Sequence, residues 1–220
     1  MSRFQKIISL VVLVSFLTAG CTQFKPPPLL VKVPSYYSHK TTFNRLTLVA
    51  DPYLDRSKVE HFFNTDILKD GFLAVHFIAF NEGIESYDLS NADFSLVKET
   101  GEVLKPLEPK QISKKVLRHT SLRMLGWGLA GLIVLTIPFS LAAGVDSRRA
   151  NKRIKRQIAE HVLKYDRLEA HESIDGFYFF RITKRSREIG DALKQHYQFR
   201  IKNVVQVDTG EKYDVSIAIN

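Results

Sequence analysis

Residues Met124 to Val145 form a run of 22 residues without a charge, and no other feature of this 220-residue chain narrows its possible folds so far. A run of that length can cover the hydrocarbon thickness of a bilayer as one helix. It also contains Gly126, Gly128, Gly131 and Gly144 and a central Pro138, which interrupts the helical hydrogen-bond ladder and permits the run to fold back as a hairpin. Cations crowd both flanks: Lys114, Lys115, Arg118 and Arg123 before it, and Arg148, Arg149, Lys152, Arg153, Lys155 and Arg156 after it. The positive-inside rule therefore sets no clean orientation, although the later flank is richer. Much of the net charge of +9 sits in this region, where it points to anionic lipid head groups more than to a soluble partner.

On both sides of the run the chain reads as short strands. Leu46 to Val49, Phe72 to Phe80 and Phe94 to Val97 are apolar or alternating, and Thr100-Gly101-Glu102 predicts a hairpin from the last of these into Val103-Leu104. Between the first two, Val59, Phe62, Phe63 and Ile67 fall near helical spacing, with Asp55 or Ser57 as the cap. Later, Gly176 to Ile182 is a strand, and Tyr197 to Val207 and Tyr213 to Ile219 flank a turn at Asp208-Thr209-Gly210-Glu211. Val215, Ile217 and Ile219 alternate with Asp214, Ser216 and Ala218, as in an antiparallel sheet wet on one side. About seven strands suit an immunoglobulin-like antiparallel β-sandwich. The fold class expected is therefore mainly β, a sandwich interrupted by an apolar helical hairpin and a basic amphipathic helix.

The interruption raises a question of topology. A single crossing by 124–145 would strand the late strands on the far side of a membrane from the early ones, whereas a hairpin would return both ends to one side. Three readings stay open: a hairpin dipping into or lying against a membrane, a true span, and a satellite core or oligomer interface. In the first two, Trp127, Leu129, Leu132, Ile133, Leu135, Ile137 and Phe139 make the membrane or partner contact. After the run, Ile154, Ile158, Val162 and Tyr165 repeat at helical spacing on a basic segment. That helix either presents Arg148, Arg149, Lys152, Arg153, Lys155 and Arg156 to head groups or covers the sandwich with its cations in water.

The N-terminus carries its own signal. Arg3 and Lys6 precede an apolar run from Ile7 to Leu17, too short to span a bilayer comfortably, and Thr18-Ala19-Gly20-Cys21 closes it with small residues and the chain's single cysteine. A lone cysteine excludes an intramolecular disulfide and any cysteine-built metal site. This layout resembles the lipobox signal of bacterial lipoproteins, with Thr18 standing where that family prefers Leu. The resemblance implies cleavage between Gly20 and Cys21, diacylglycerol on the Cys21 thiol and an acylated amino terminus, an anchor that suffices alone. Thr22, in place of an Asp retention signal, implies the outer membrane, lipid-anchored and facing the periplasm, with the inner membrane as the other possibility. Residues 22 to 40, with Pro26-Pro27-Pro28 and Pro34, read as an extended tether whose second half, Leu29, Leu30, Val31 and Val33, either hangs free or packs on the domain. The boundaries expected are 1–20 for the signal, 21–42 for the lipidated cysteine and tether, 43–110 and 171–220 for the two halves of the sandwich, and 111–170 for the helical insert. The apolar stretch Asp66 to Asn81, ending in Asn81-Glu82-Gly83, and Gly176 to Phe180 resemble uncharacterised bacterial lipoproteins with sandwich domains, a likeness that implies no activity.

Nothing in the sequence signals catalysis. The seven histidines show no paired metal-ligand spacing, and neither a phosphate loop nor a nucleophile elbow is present. His76 lies in an apolar strand and reads as a satisfied core histidine; His161 and His171, near Glu160, Glu169 and Glu172, have no specific metal spacing. Lys184-Arg185-Ser186-Arg187 reads as a solvated loop. The expectation is a non-enzymatic envelope protein without cofactor, nucleic acid or small-molecule substrate, whose partners are membrane lipid and an envelope protein or a second copy of itself. The alternative is a subunit of a membrane transport or secretion assembly with a true transmembrane helix at 124–145.

Overall fold

The computed structural model describes residues 29–116, 151–152, 154–156, 158–163 and 166–219. Gly20, Cys21, residues 124–145, Arg148, Arg149, Arg153 and Tyr165, all singled out above, lie outside them.

Two antiparallel sheets pack face to face as a β-sandwich. Sheet A runs in the order β1 (Lys40–Phe43), β2 (Leu46–Pro52), β3 (Phe72–Asn81) and β8 (Ser173–Arg181). Sheet B is centred on β9 (Tyr197–Gln206), flanked on one side by β10 (Lys212–Ile219) and on the other by β5 (Asp93–Lys98) with β6 (Val103–Leu104), and by β4 (Tyr87–Asp88) with β7 (Arg167–Leu168). All seven strands expected from the sequence are present. The three additional ones are β1, β4 and β7, the last two only two residues each. β1 takes up Lys40 to Thr42, which the sequence assigns to the tether, and β7 falls in the stretch assigned to the insert.

Each sheet is built from both halves of the chain. β3 pairs with β8 from Phe72↔Arg181 to Phe80↔Ser173, and β5 pairs with β9 from Asp93↔Lys202 to Lys98↔Tyr197. Neither half can close a core without the other. Aromatic rings join the sheets: Phe77 meets Phe94 at 5.3 Å, Tyr178 stacks on Phe94 at 4.3 Å and Phe180 meets Phe199 edge-on at 6.0 Å between centroids. Such pairs add about 1 kcal/mol each beyond their buried area.

Strand alternation decides what each sheet faces. In β10, Val215, Ile217 and Ile219 are buried while Asp214, Ser216 and Ala218 are exposed, so sheet B is wet on its outer side. β9 keeps the same alternation except at Lys202 and Asn203, both exposed; Asn203 is left-handed at φ 59°, and its N–H donates to Asp214 Oδ1 at 3.0 Å. This irregularity divides β9 into a part paired with β5 and a part paired with β4.

Sheet A differs. Every residue of β3 is buried except the half-buried Phe80, so this strand is covered on both faces. The cover is a third, helical layer. α1 (Arg56–Phe63) starts at Asp55, whose Oδ1 accepts N–H bonds from Ser57 at 2.6 Å and Lys58 at 3.3 Å, and it stops at the left-handed Asn64. It buries Val59, Phe62 and Phe63. Ile67 is buried too, but beyond the end of the helix. Helical residues 109–116 bury Ile112 and Val116, and the helical residues 151–152, 154–156 and 158–160 bury Ile154 and Ile158.

β1 and β2 form a two-residue hairpin in which Asn44 and Arg45 both have positive φ, 43° and 59°. Those are the two left-handed positions of a type I′ turn. Only the asparagine is a residue type that favours such a conformation, which explains why the sequence gives little warning of this hairpin.

Candidate functional site

The outer side of sheet A gathers the features that sequence reasoning singled out. Along β3, Phe72, Ala74, His76, Ile78 and Phe80 alternate onto this side, opposite to Phe77. Around Phe177 of β8 stands an aromatic cluster: Tyr53 at 5.0 Å, Phe62 and Phe63 at 5.3 Å each, and His76 stacked at 4.8 Å. His76 Nε2 hydrogen-bonds Asp175 Oδ2 at 2.8 Å, which makes it the satisfied core histidine the sequence suggests. Asp51, its cross-strand neighbour on β2, binds Lys58 at 3.0 Å, and Lys58 lies 4.0 Å over the Tyr53 ring. Burial, with Asp51 nearby, pushes the Tyr53 phenol well above its usual value. The cluster is therefore an aromatic, hydrogen-bonded packing centre. Among the described residues no group of three or more His, Cys, Asp or Glu could hold a metal ion.

The arm that follows the tether also lies here. Leu29 packs against the core, Tyr37 stands 6.5 Å from Phe80, and the Tyr37 hydroxyl accepts the Lys32 N–H at 3.0 Å. Leu30, Val31, Val33 and Tyr36 stay exposed, so of the four apolar residues that could have packed only the first does.

Both ends of the segment 117–150 meet the same layer. Lys115 lies over the Phe72 ring at 5.4 Å and donates to the Asp70 carbonyl at 2.9 Å, beside the buried Val116. On return, Ile154 and Ile158 enter the core that holds Ile112 and Val116. His161 then meets Phe62 at 5.2 Å, and its carbonyl accepts the Phe177 N–H at 2.7 Å. Val162 and Phe177 form a parallel bridge along the free edge of β8. With β3 paired to β8 and β5 to β9, this fold requires residues 116 and 151 to lie on the same side of any bilayer. Among the described residues no helix is long and apolar enough to cross a membrane.

The basic helix now has a defined role. Ile154 and Ile158 are buried and Val162 is half-buried, whereas Lys152, Lys155 and Arg156 are exposed. Its apolar stripe thus covers the sandwich and is not free to enter lipid. Arg156 Nε donates to Glu160 at 2.6 Å, which neutralises one of the cations expected to meet head groups.

A second basic surface, not foreseen, occupies the pole where β3 begins and β8 ends. The turn Leu68–Asp70 carries Lys69, and Gly71 follows at φ 82° with its carbonyl accepting the Ile182 N–H at 3.0 Å. A side chain at Gly71 would run into the Thr183 carbonyl, so the close approach that joins these segments needs glycine. Arg181 Cζ lies 6.0 Å from the Phe72 ring, beside Lys115, and burial together with Arg181 pushes the Lys115 pKa down. Next to them opens a groove of about 820 Å³ with an apolar floor of Val103, Leu104, Leu107, Ile182 and Ala192. Of the cations on its rim, Lys98 pairs with Glu102, Lys105 with Asp93 and Arg185 with Glu188. Among the described residues Arg181, Lys184 and Lys69 form no ion pair. The sequence hid this surface because residues 69, 115 and 181 come from three distant segments and no single window collects them.

The class defined by this arrangement is a two-sheet antiparallel β-sandwich with a helical layer over one sheet, from which an apolar segment departs and to which it returns. The crystal structure of a DUF4426 family protein from Pseudomonas aeruginosa PAO1 is similar to this chain at 11% identity, covering 82% of this chain and 94% of that chain, with a TM-score of 0.32. No protein-family model matches the sequence, and no curated protein is similar to it.

Proposed function

We propose that this protein is a non-enzymatic lipoprotein of the bacterial envelope, anchored through lipid on Cys21, with the sandwich as an interaction module and residues 124–145 as a second membrane or partner contact. The observation that carries this reading is that both ends of the apolar segment and the arm leading from the tether lie on one side of sheet A. From Phe72 to Phe80 the strand advances eight residues, about 26 Å at 3.3 Å per residue. The eight residues from Cys21 to Leu29 reach about the same distance when extended. One bilayer at the end of the strands where β3 begins can therefore hold both contacts. The outer membrane, on its periplasmic side, is the location the residue after Cys21 favours, and the interaction partner is an envelope protein or a second copy of the chain.

Labelled palmitate should enter the protein and be lost with Cys21→Ser. Cys21→Ser combined with deletion of 124–145 should leave a folded protein in the soluble periplasmic fraction. Absence of label on the unaltered chain would remove the anchor, and a doubly altered protein that stays with the membranes would show that neither proposed contact holds it there.

A further inference from the structure

We propose that the pole formed by Lys69, Lys115, Arg181 and Lys184 is a docking surface for an anionic lipid bilayer. This rests on the membrane-anchored reading above and adds to it the surface that meets the lipid and the chemistry that it selects. Three observations converge. Lys69, Arg181 and Lys184 form no ion pair among the described residues, whereas Lys98, Lys105, Arg185 and Arg156 each have a carboxylate partner. The carboxylates near the pole only partly offset it: buried Asp70 attracts Lys115, Asp66 pairs with Arg56, Glu102 and Glu188 pair with Lys98 and Arg185, and Asp191 is the one acid of the groove wall without an ion pair among the described residues. Finally, the chain leaves for the apolar segment from this pole, since Lys115 sits over Phe72 immediately before Val116.

Charge and apolar surface thus coincide as an anionic interface requires. Lysine and arginine side chains meet phosphate oxygens, while the half-exposed Val103 and the groove floor of Leu104 and Leu107 border the same surface. Burial and the neighbouring Arg181 already disfavour the charged form of Lys115, and an approaching anion relieves that penalty.

The test uses the chain from residue 21 onward with Cys21→Ser, so that no acyl chain contributes. It is mixed with vesicles of phosphatidylcholine alone or of phosphatidylcholine with phosphatidylglycerol. The protein should bind both and prefer the anionic vesicles, with the preference fading as salt rises. Each cation at an anionic surface contributes about five-fold to partitioning, so Lys69→Glu with Lys184→Glu should cost roughly 25-fold or more on anionic vesicles and little on neutral ones. Both lysines are exposed, and an unchanged thermal melt confirms that the variant folds. Lys202→Glu with Lys212→Glu, on sheet B, is the matched control and should leave partitioning unchanged. Equal loss in the control, or no loss in the polar variant, would overturn the docking surface while leaving the membrane reading in place. Failure of the unaltered chain to bind either vesicle would overturn both this surface and the second membrane contact.

Discussion

Phe177→Ala should lower the stability of the protein by about 4 kcal/mol, the largest effect expected of any single truncation here. Phe177 is fully buried and touches Tyr53, Phe62, Phe63, His76 and Phe179. Its backbone N–H is the donor to the His161 carbonyl. Truncation therefore opens a cavity where β3, β8, α1 and the returning segment meet, and the rings around it are held on separate elements that cannot easily collapse inward. Against a total stability of 5–15 kcal/mol typical of domains, the loss is large enough to lower the urea midpoint steeply. Phe177→Leu, which keeps most of the volume, should cost far less. A loss below about 1 kcal/mol for the alanine variant would mean that the helical layer is not packed on sheet A as described.

Gly176→Val should destabilise by about 3 kcal/mol for a different reason, since here atoms are added and not removed. A Cβ at Gly176 would lie 2.5 Å from the Leu163 N and Cα, which are backbone atoms and cannot rotate away. Alternation along β8 turns residue 176 toward sheet B, together with Tyr178 and Phe180. The absent side chain is what lets the chain pass from the edge of β8 at Val162 toward β7 at Arg167–Leu168 in sheet B. A valine there should peel residues 158–163 off the sheet before the rest unfolds. Trypsin should then cut after Lys155 or Arg156 in the variant under conditions that spare the parent protein, and amide exchange at Phe177 should accelerate. Equal protease resistance in the two proteins would contradict the tight crossing.

Strands such as β10 are legible because their alternation, as in Val215, Ile217 and Ile219, is the direct imprint of a half-buried sheet, whereas β3 is legible as a continuous apolar run and the two-residue β6 through its Thr100-Gly101-Glu102 turn. The start of α1 was legible in Asp55 because a cap is a local interaction. The third layer was not legible. β3 reads as a strand whether it is covered on one face or two, and the residues that cover it, Phe62, Ile112 and Ile158, lie in segments that each look like an ordinary surface helix. For the stripe Ile154 and Ile158, the sequence left membrane and sandwich as equal destinations, and tertiary packing decided for the sandwich. The basic pole was invisible for a related reason: an uncompensated charge depends on where every carboxylate ends up, and that is a property of the folded surface.

A lipid-anchored sandwich built from both halves of the chain requires those halves to stand on the same, non-cytoplasmic side of the membrane. A protease-sensitive tag placed after Asn220 tests it most directly, in intact spheroplasts and with a periplasmic protein as the control for access. The tag should be cleaved without lysis. A tag protected until the cells are broken, while the periplasmic control is cut, would place β7 to β10 in the cytoplasm and contradict the pairing of β3 with β8 on which the rest depends.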